Sequence, residues 1–306
     1  MSQKIVFMGT PEFSVPTLES LINSNHKILT VYSQPASKAN RGQKVIPSSV
    51  EVFAKEKSLS VRTPLNLDTD EEYNFFKKLK PDIVIVIAYG KIIPKRFLNL
   101  SKHGFINVHA SLLPKWRGAA PIQRSIMNLD NETGISIMKI IPKLDAGPVM
   151  MTSKIKISKE TNYKKLSQEL SKLGAKLILQ SLNLIENGKE KFIDQNENEV
   201  TYAKKIDKRE SRINWKEDAE KVIAKINALY PKPGTWFIYN GMRLKILKAI
   251  EIEETGEPGQ IIKPNFTVAC AKNAVQLLEI QKEGKKIMKA SEYLKGNKLL
   301  IGSNVN

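Results

Sequence analysis

The sequence predicts an α/β fold in two parts: a domain built on a largely parallel sheet, then a small C-terminal β-barrel. Three observations lead there. Ile83-Val84-Ile85-Val86-Ile87 is an unbroken β-branched run, the mark of a central parallel strand covered on both faces. Lys4-Ile5-Val6-Phe7-Met8 passes through Gly9-Thr10-Pro11 into a helical pattern, which is how an α/β unit begins. After Tyr230-Pro231-Lys232-Pro233-Gly234 the pattern changes, and five short strands succeed one another between turn signals.

Taken in order, the first strand is followed by a helix from Pro16 to Asn23 and a second strand from Lys27 to Tyr32. The single Gly9 lacks the triple-glycine dinucleotide fingerprint, so no nicotinamide cofactor is expected. Residues 33–47 form a long connection with two prolines, one glycine and three basic residues. A loop of that length is either functional or a surface excursion, and composition does not choose. Helices are expected at Ser49–Lys57 and Glu71–Leu79, then the apolar strand ending at Tyr89-Gly90. Phe105-Ile106-Asn107-Val108-His109 reads as a buried strand that turns polar at its end. A helix follows at Ala120–Leu129, then strands at Thr133–Ile141 and Val149–Ile157 around a Pro/Gly turn that contains Asp145. Thr161–Asn187 has leucines at helical spacing and stops at Asn187-Gly188.

The expected domains are residues 1–188 and 209–306, with the polar stretch 189–208 a linker between them. In the second domain a helix spans Asp218–Leu229. Strands follow at Thr235–Tyr239, Arg243–Ile250, Gln260–Ile262, Thr267–Cys270 and Val275–Gln281. Five close strands suggest the oligonucleotide/oligosaccharide-binding (OB) barrel.

A chain of 306 residues can bury two ordinary cores. No apolar run approaches the roughly 20 residues of a membrane span, and Met1–Lys4 has no signal-peptide pattern. One cysteine, Cys270, excludes an internal disulfide framework and fits a reducing, cytoplasmic location. The formal charge is +18, from 49 basic and 31 acidic side chains, and residues 207–306 hold 18 and 12 of these. The excess is spread over both parts, which suits a polyanionic partner such as nucleic acid and equally a lysine-rich solvated surface.

Catalytic candidates are few. Of the three histidines, His26 and His103 fall in polar turns. His109 ends a buried strand two residues after Asn107, so both side chains leave the same face. An amide donor and an imidazole together can hold an oxyanion and manage a proton, although a lone histidine is more often structural. Ligands bind outside the carboxyl ends of strands in open α/β sheets, so Met8-Gly9, Tyr89-Gly90 and Asn107–His109 should converge. No zinc-ligand spacing, phosphate-cradling Gly-x-x-x-x-Gly-Lys or Gly-x-Ser-x-Gly elbow is present, and no metal is expected.

Asn107-x-His109 followed by Ser111-Leu112-Leu113-Pro114-Lys115-Trp116-Arg117-Gly118, with Asp145-Ala146-Gly147 downstream, resembles the formyltransferase family that uses 10-formyltetrahydrofolate. Met8–Phe13 and Ala88–Gly90 match as well, and Arg212–Trp215 with Pro233–Trp236 resemble the C-terminal barrel of members that act on tRNA. The resemblance implies a Rossmann-like formyltransferase domain and an OB-like, tRNA-binding one. It implies formyl transfer to methionine on initiator methionyl-tRNA, with 10-formyltetrahydrofolate as co-substrate. Asn107 and His109 would stabilise the oxyanion and Asp145 would orient His109 or a water and help move the proton. Folate would lie along Ser111, Leu112, Leu113 and Pro114 and beside Tyr89 and Gly90, with the Ile140–Asp145 turn reading the pterin edge. The 33–47 loop matches one that closes on the tRNA acceptor end, with Arg41 its foremost contact and Lys38 and Lys44 further candidates. Ala36–Asn40 departs from a more Pro/Gly-rich pattern there. A monomer is expected. The alternatives are a formyltransferase for a small amine (glycinamide ribotide or an amino sugar), a hydrolase releasing formate, and an RNA-binding protein with an inert α/β domain.

Overall fold

The computed structural model describes residues 2–39 and 44–305. It divides into two units. The first comprises Met1–Gly118, Thr133–Ile155 and Ser167–Tyr202; the second comprises Ala119–Glu132, Lys156–Leu166 and Ala203–Asn306.

In the first unit β1 (Lys4–Gly9), α1 (Val15–Ile22) and β2 (Lys27–Tyr32) lead to a short hairpin, β3 (Ser37–Ala39) and β4 (Lys44–Ile46). The chain continues through α2 (Ser49–Glu56), β5 (Val61–Arg62), α3 (Asp70–Leu79), β6 (Ile83–Ile87), β7 (Phe105–His109) and β8 (Arg117–Gly118). After α4 (Pro121–Met127), which belongs to the second unit, come β9 (Glu132–Lys139), β10 (Val149–Lys156), α5 (Tyr163–Glu186) and β11 (Tyr202–Ala203). The main sheet has seven strands in the order β10-β9-β7-β6-β1-β2-β5. The ladder from β5 through β2, β1 and β6 to β7 is parallel, and β9 joins β7 antiparallel.

Sequence explains these elements locally. All five residues of β6 are buried, as a β-branched strand in the middle of a two-faced sheet requires. Ser48 and Thr69 cap α2 and α3 by accepting from the N–H groups of Glu51 and Glu72. Each cap is worth about 1 kcal/mol. On α5 Leu166, Leu170 and Leu177 are buried, and the helix descends on β7 at Gly174. A Cβ there would come within 2.9 Å of Val108 Cγ1, so only glycine lets the helix sit this close.

The 33–47 connection is not irregular throughout. Ser37, Lys38 and Ala39 pair antiparallel with Ile46, Val45 and Lys44. Three-residue strands are too short to show periodicity, so no pattern in the residues announces them. Arg41 lies outside the described residues; the backbones of Lys38 and Lys44 stand on β3 and β4.

The second unit carries α6 (Ala219–Leu229), β12 (Thr235–Tyr239), β13 (Met242–Ile252), β14 (Ile261–Lys263), β15 (Thr267–Ala269), β16 (Ala274–Lys282), β17 (Met288–Lys289) and α7 (Ala290–Lys295). Its antiparallel sheet runs β12-β13-β16-β15-β14, with β17 on β16. The five strands expected here are present, shifted by one or two residues, and β17 and α7 add to them. Trp215, Phe237, Tyr239, Phe266 and Tyr293 form its aromatic core. Cys270 is buried just past β15, and burial pushes its thiol up to about 12, which makes it packing and not a nucleophile.

Candidate active site

The carboxyl ends of β1, β2 and β6 are tied to one another at a single atom. Past β6 the chain turns left-handed at Ala88 (φ 45°) and Gly90 (φ 78°), with buried Tyr89 between them. The Tyr89 carbonyl accepts from Thr10 Oγ1, beyond β1, at 2.8 Å and from Gln34 Nε2, beyond β2, at 2.9 Å. A side chain at position 90 would collide with that Gln34 amide.

β7 lies beside β6, with Asn107 opposite Val86, and beside β9, with His109 opposite Ser136. Asn107 is half-buried, and its amide has no hydrogen-bond partner among the described residues. His109 is 5% exposed. Its Nε2 lies 2.9 Å from the Trp116 carbonyl, and its Nδ1 faces Asp145 Oδ2 at 3.7 Å. A carbonyl oxygen only accepts, so Nε2 carries a proton and Nδ1 is the atom at which a second can be taken up. The resulting imidazolium would face the Asp145 carboxylate.

Two loops hold this pair. The loop after β7 is fixed by Ser136 Oγ, which donates to the Ser111 carbonyl at 2.7 Å and accepts from Leu113 N–H at 3.0 Å. The Ser111 hydroxyl is itself committed to the Lys115 carbonyl at 2.6 Å, so Ser111 shapes the loop, while Leu112, Leu113 and Pro114 are half-buried. Further along, Gly118 N–H donates to Asp145 Oδ2 at 2.8 Å. Asp145 has a left-handed backbone (φ 43°) in the turn between β9 and β10, a conformation Asp tolerates better than most residues. At Gly147 a Cβ would run into the Lys139 carbonyl, so the turn closes tightly on the end of β9.

Three residues of this arrangement were assigned no role from the sequence, although Arg117 stands inside the motif that carries the resemblance. Arg117 is fully buried. Its Nε donates to Gln195 Oε1 at 3.0 Å and its Nη2 to Glu197 Oε1 at 2.8 Å. Glu197 also takes Lys143 Nζ at 2.6 Å, and these two cations hold its carboxyl down at about 2, Arg117 foremost. Gln195 Nε2 donates to the carbonyls of Asp145 and Gly147 at 2.9 and 2.7 Å. The stretch expected to be a linker therefore begins as part of the first unit, bonded to both site loops.

The other histidines lie outside this group. His26 Nδ1 accepts from Gln3 N–H at 3.3 Å and lies 3.5 Å from Glu186 Oε1, and burial lowers the pKa of both His26 and His103. Among the described residues no three His, Cys, Asp or Glu side chains are grouped to hold a metal ion, and no helix is long and apolar enough to cross a membrane. Among the described residues the arrangement gives an amide donor without a partner, an imidazole with one open nitrogen and a carboxylate facing it. That set can stabilise an oxyanion and accept a proton without forming a covalent enzyme intermediate.

The family model described as formyl transferase matches residues 3–182, and that of the formyl transferase C-terminal domain matches residues 205–298. The chain is 48% identical over 307 residues to the methionyl-tRNA formyltransferase of Pelagibacter ubique (strain HTCC1062), covering 100% of this chain and 99% of that protein. It is 39% identical to the enzyme of that name from Methylobacterium nodulans, covering 100% of both. Solved structures share the fold at lower identity. An N-formyltransferase from Helicobacter canadensis in complex with folinic acid and dTDP-3-aminofucose aligns with TM-score 0.68 and 19% identity, over 90% of this chain and 99% of that one. HypX from Aquifex aeolicus in complex with tetrahydrofolic acid aligns with TM-score 0.67 and 17% identity, over 96% of this chain but only 47% of HypX. With both domain models matched in order, and relatives alike from end to end, the chain belongs to the formyl transferase family.

Proposed function

We propose that this protein transfers the formyl group of 10-formyltetrahydrofolate to the α-amino group of methionine on initiator tRNA, giving N-formylmethionyl-tRNA for translation initiation. The observation that carries this reading is the 48% identity, over the full length of both chains, to a methionyl-tRNA formyltransferase. The Asn107 amide beside His109, without a partner among the described residues, fits the chemistry, because a formyl oxygen that becomes an oxyanion needs a preset donor.

The neutral amine attacks the formyl carbon, a C–N bond forms, and the carbonyl electrons move onto oxygen. Asn107 donates to that oxygen, and His109 adds positive charge beside it once it has taken up the amine's proton. The amine gives up a proton, which His109 Nδ1 can take while Asp145 stabilises the imidazolium. Collapse of the intermediate breaks the bond to folate N10, which leaves as the amine with the proton that His109 gives back. No covalent nucleophile is needed, because an amine is nucleophilic once neutral. The chain's task is positioning and charge stabilisation.

Leu112, Leu113 and Pro114 supply an apolar wall for the folate, with Tyr89-Gly90 at the neighbouring strand end. Arg41, with Lys38 and Lys44, is assigned to the acceptor end of the tRNA, and residues 209–306 to its body. The protein acts in the cytoplasm as a monomer. Two expectations follow for the RNA. Replacing Arg41 by alanine should raise KM for the charged tRNA and spare folate affinity, and equal loss of both in steady-state assays would make Arg41 a residue of the fold. Because the chain carries a net +18, tRNA affinity should fall more than about tenfold between roughly 50 and 200 mM salt. A flat filter-binding curve would remove electrostatics from recognition.

The test of the whole reading is an assay with 10-formyltetrahydrofolate and three acceptors: charged initiator tRNA, elongator methionyl-tRNA and free methionine. Formylation confined to the initiator is the expected result. Equal use of free methionine would move the protein to the class that acts on small amines, and formate release without acceptor would make it a hydrolase.

A further inference from the structure

Gln195 belongs to a stretch whose composition reads as a connector, yet its side chain bonds the backbone on which Asp145 stands. We propose that Gln195 is a positioning residue for formyl transfer, holding Asp145 at the distance from His109 that the proton transfer requires. The proposal rests on the catalytic reading of Asn107, His109 and Asp145 given above.

The Gln195 amide is fully used. Its nitrogen donates to the carbonyls of Asp145 and Gly147 at 2.9 and 2.7 Å, and its oxygen accepts from Arg117 Nε at 3.0 Å. Two carbonyls of one tight turn are thus gathered onto one donor, at the residue whose backbone is left-handed (φ 43°). Without that donor the turn has less to keep it in a sparsely populated conformation. Arg117 anchors the other end. Its guanidinium is wholly buried and is tolerable there only with partners, which Gln195 and Glu197 supply. Glu197 reaches the same turn a second time through Lys143.

The same stretch also governs the imidazole. Thr201 Oγ1 accepts from Trp116 N–H at 2.9 Å, and the Trp116 carbonyl lies 2.9 Å from His109 Nε2. Each loop that fixes one member of the His109–Asp145 pair is therefore bonded to residues 195–201. The pair stands 3.7 Å apart, longer than a hydrogen bond, so a displacement of a few tenths of an ångström decides whether it forms one when His109 is protonated. A residue that sets this spacing acts on the rate of the chemical step, whereas one that only stabilises the fold does not.

The experiment measures kcat, KM for both substrates and Tm for the full-length wild type and for Gln195→Ala, Gln195→Glu, Asp145→Asn and Gln195→Ala/Asp145→Asn. Gln195→Glu keeps the acceptor for Arg117 and the volume, so the fold is protected, but it turns an oxygen toward two carbonyls. Both Gln195 variants should lose about 10- to 100-fold in kcat with KM nearly unchanged. In the Asp145→Asn background Gln195→Ala should cost almost nothing further, because the group it positions is already gone. If Gln195→Ala does not fold, Gln195→Glu decides, and Gln195→Glu/Asp145→Asn takes the place of the double variant. Wild-type kcat in the Gln195 variants, alongside an impaired Asp145→Asn, overturns the proposal and leaves the catalytic reading standing. An equal loss in both backgrounds also overturns it, by making Gln195 structural. Wild-type turnover in Asp145→Asn itself would instead overturn the catalytic reading on which the proposal rests.

Discussion

Asn107→Ala is expected to lower turnover by about 10²–10³-fold and to leave folate affinity mostly intact. The amide is half-buried on the sheet face it shares with His109, at the carboxyl end of β7, and no protein group occupies its hydrogen bonds among the described residues. A donor held ready in this way is worth most when the carbonyl oxygen takes on charge, and little when that oxygen is neutral. The loss should therefore fall on kcat and not on KM. Position 107 faces Met138 of β9 and Val86 of β6 through backbone bonds, which alanine keeps, so the strand should persist. Single-turnover formylation with saturating substrates measures the step directly. An unchanged rate constant would take Asn107 out of the oxyanion site.

Asp145→Asn should have a comparable or larger effect, about 10²–10⁴-fold on kcat. Asparagine keeps an oxygen to accept from Gly118 N–H, and it adopts the left-handed backbone at least as well as aspartate. What it removes is the negative charge facing His109 Nδ1. The imidazolium formed during proton transfer then loses its counter-charge while the loop stays in place. Melting temperature and folate binding near wild type, with turnover nearly abolished, would be the signature. A lowered Tm with normal turnover per folded molecule would make Asp145 a turn residue only.

Much of the sheet was legible because its strands carry their own explanation. Ile83–Ile87 is β-branched at every position and buried at every position. In β7 the apolar run turns polar where the sheet ends, and the two polar residues fall on one face by simple alternation. Asp145 could be named only through the resemblance, since 36 positions separate it from His109 and no periodicity spans such a gap. The roles of Arg117, Gln195 and Glu197 were illegible for a physical reason. An arginine in a loop and a polar run after a helix each read as solvated surface, and only the fold shows that one is buried and the other bonded across 78 and 80 positions. The hairpin β3–β4 escaped notice because three residues per strand are too few to alternate.

The Tyr89 carbonyl, which receives both Thr10 and Gln34, bears on affinity as well as shape. Three segments from distant parts of the chain lose their conformational freedom to it during folding, before any substrate arrives. With the folate beside Tyr89-Gly90 as proposed, binding would start from an entropy already surrendered, and less of its contact free energy would be consumed in ordering the protein. The remainder is left for distinguishing the transition state from the ground state, which is where a transferase without a covalent intermediate must find its rate.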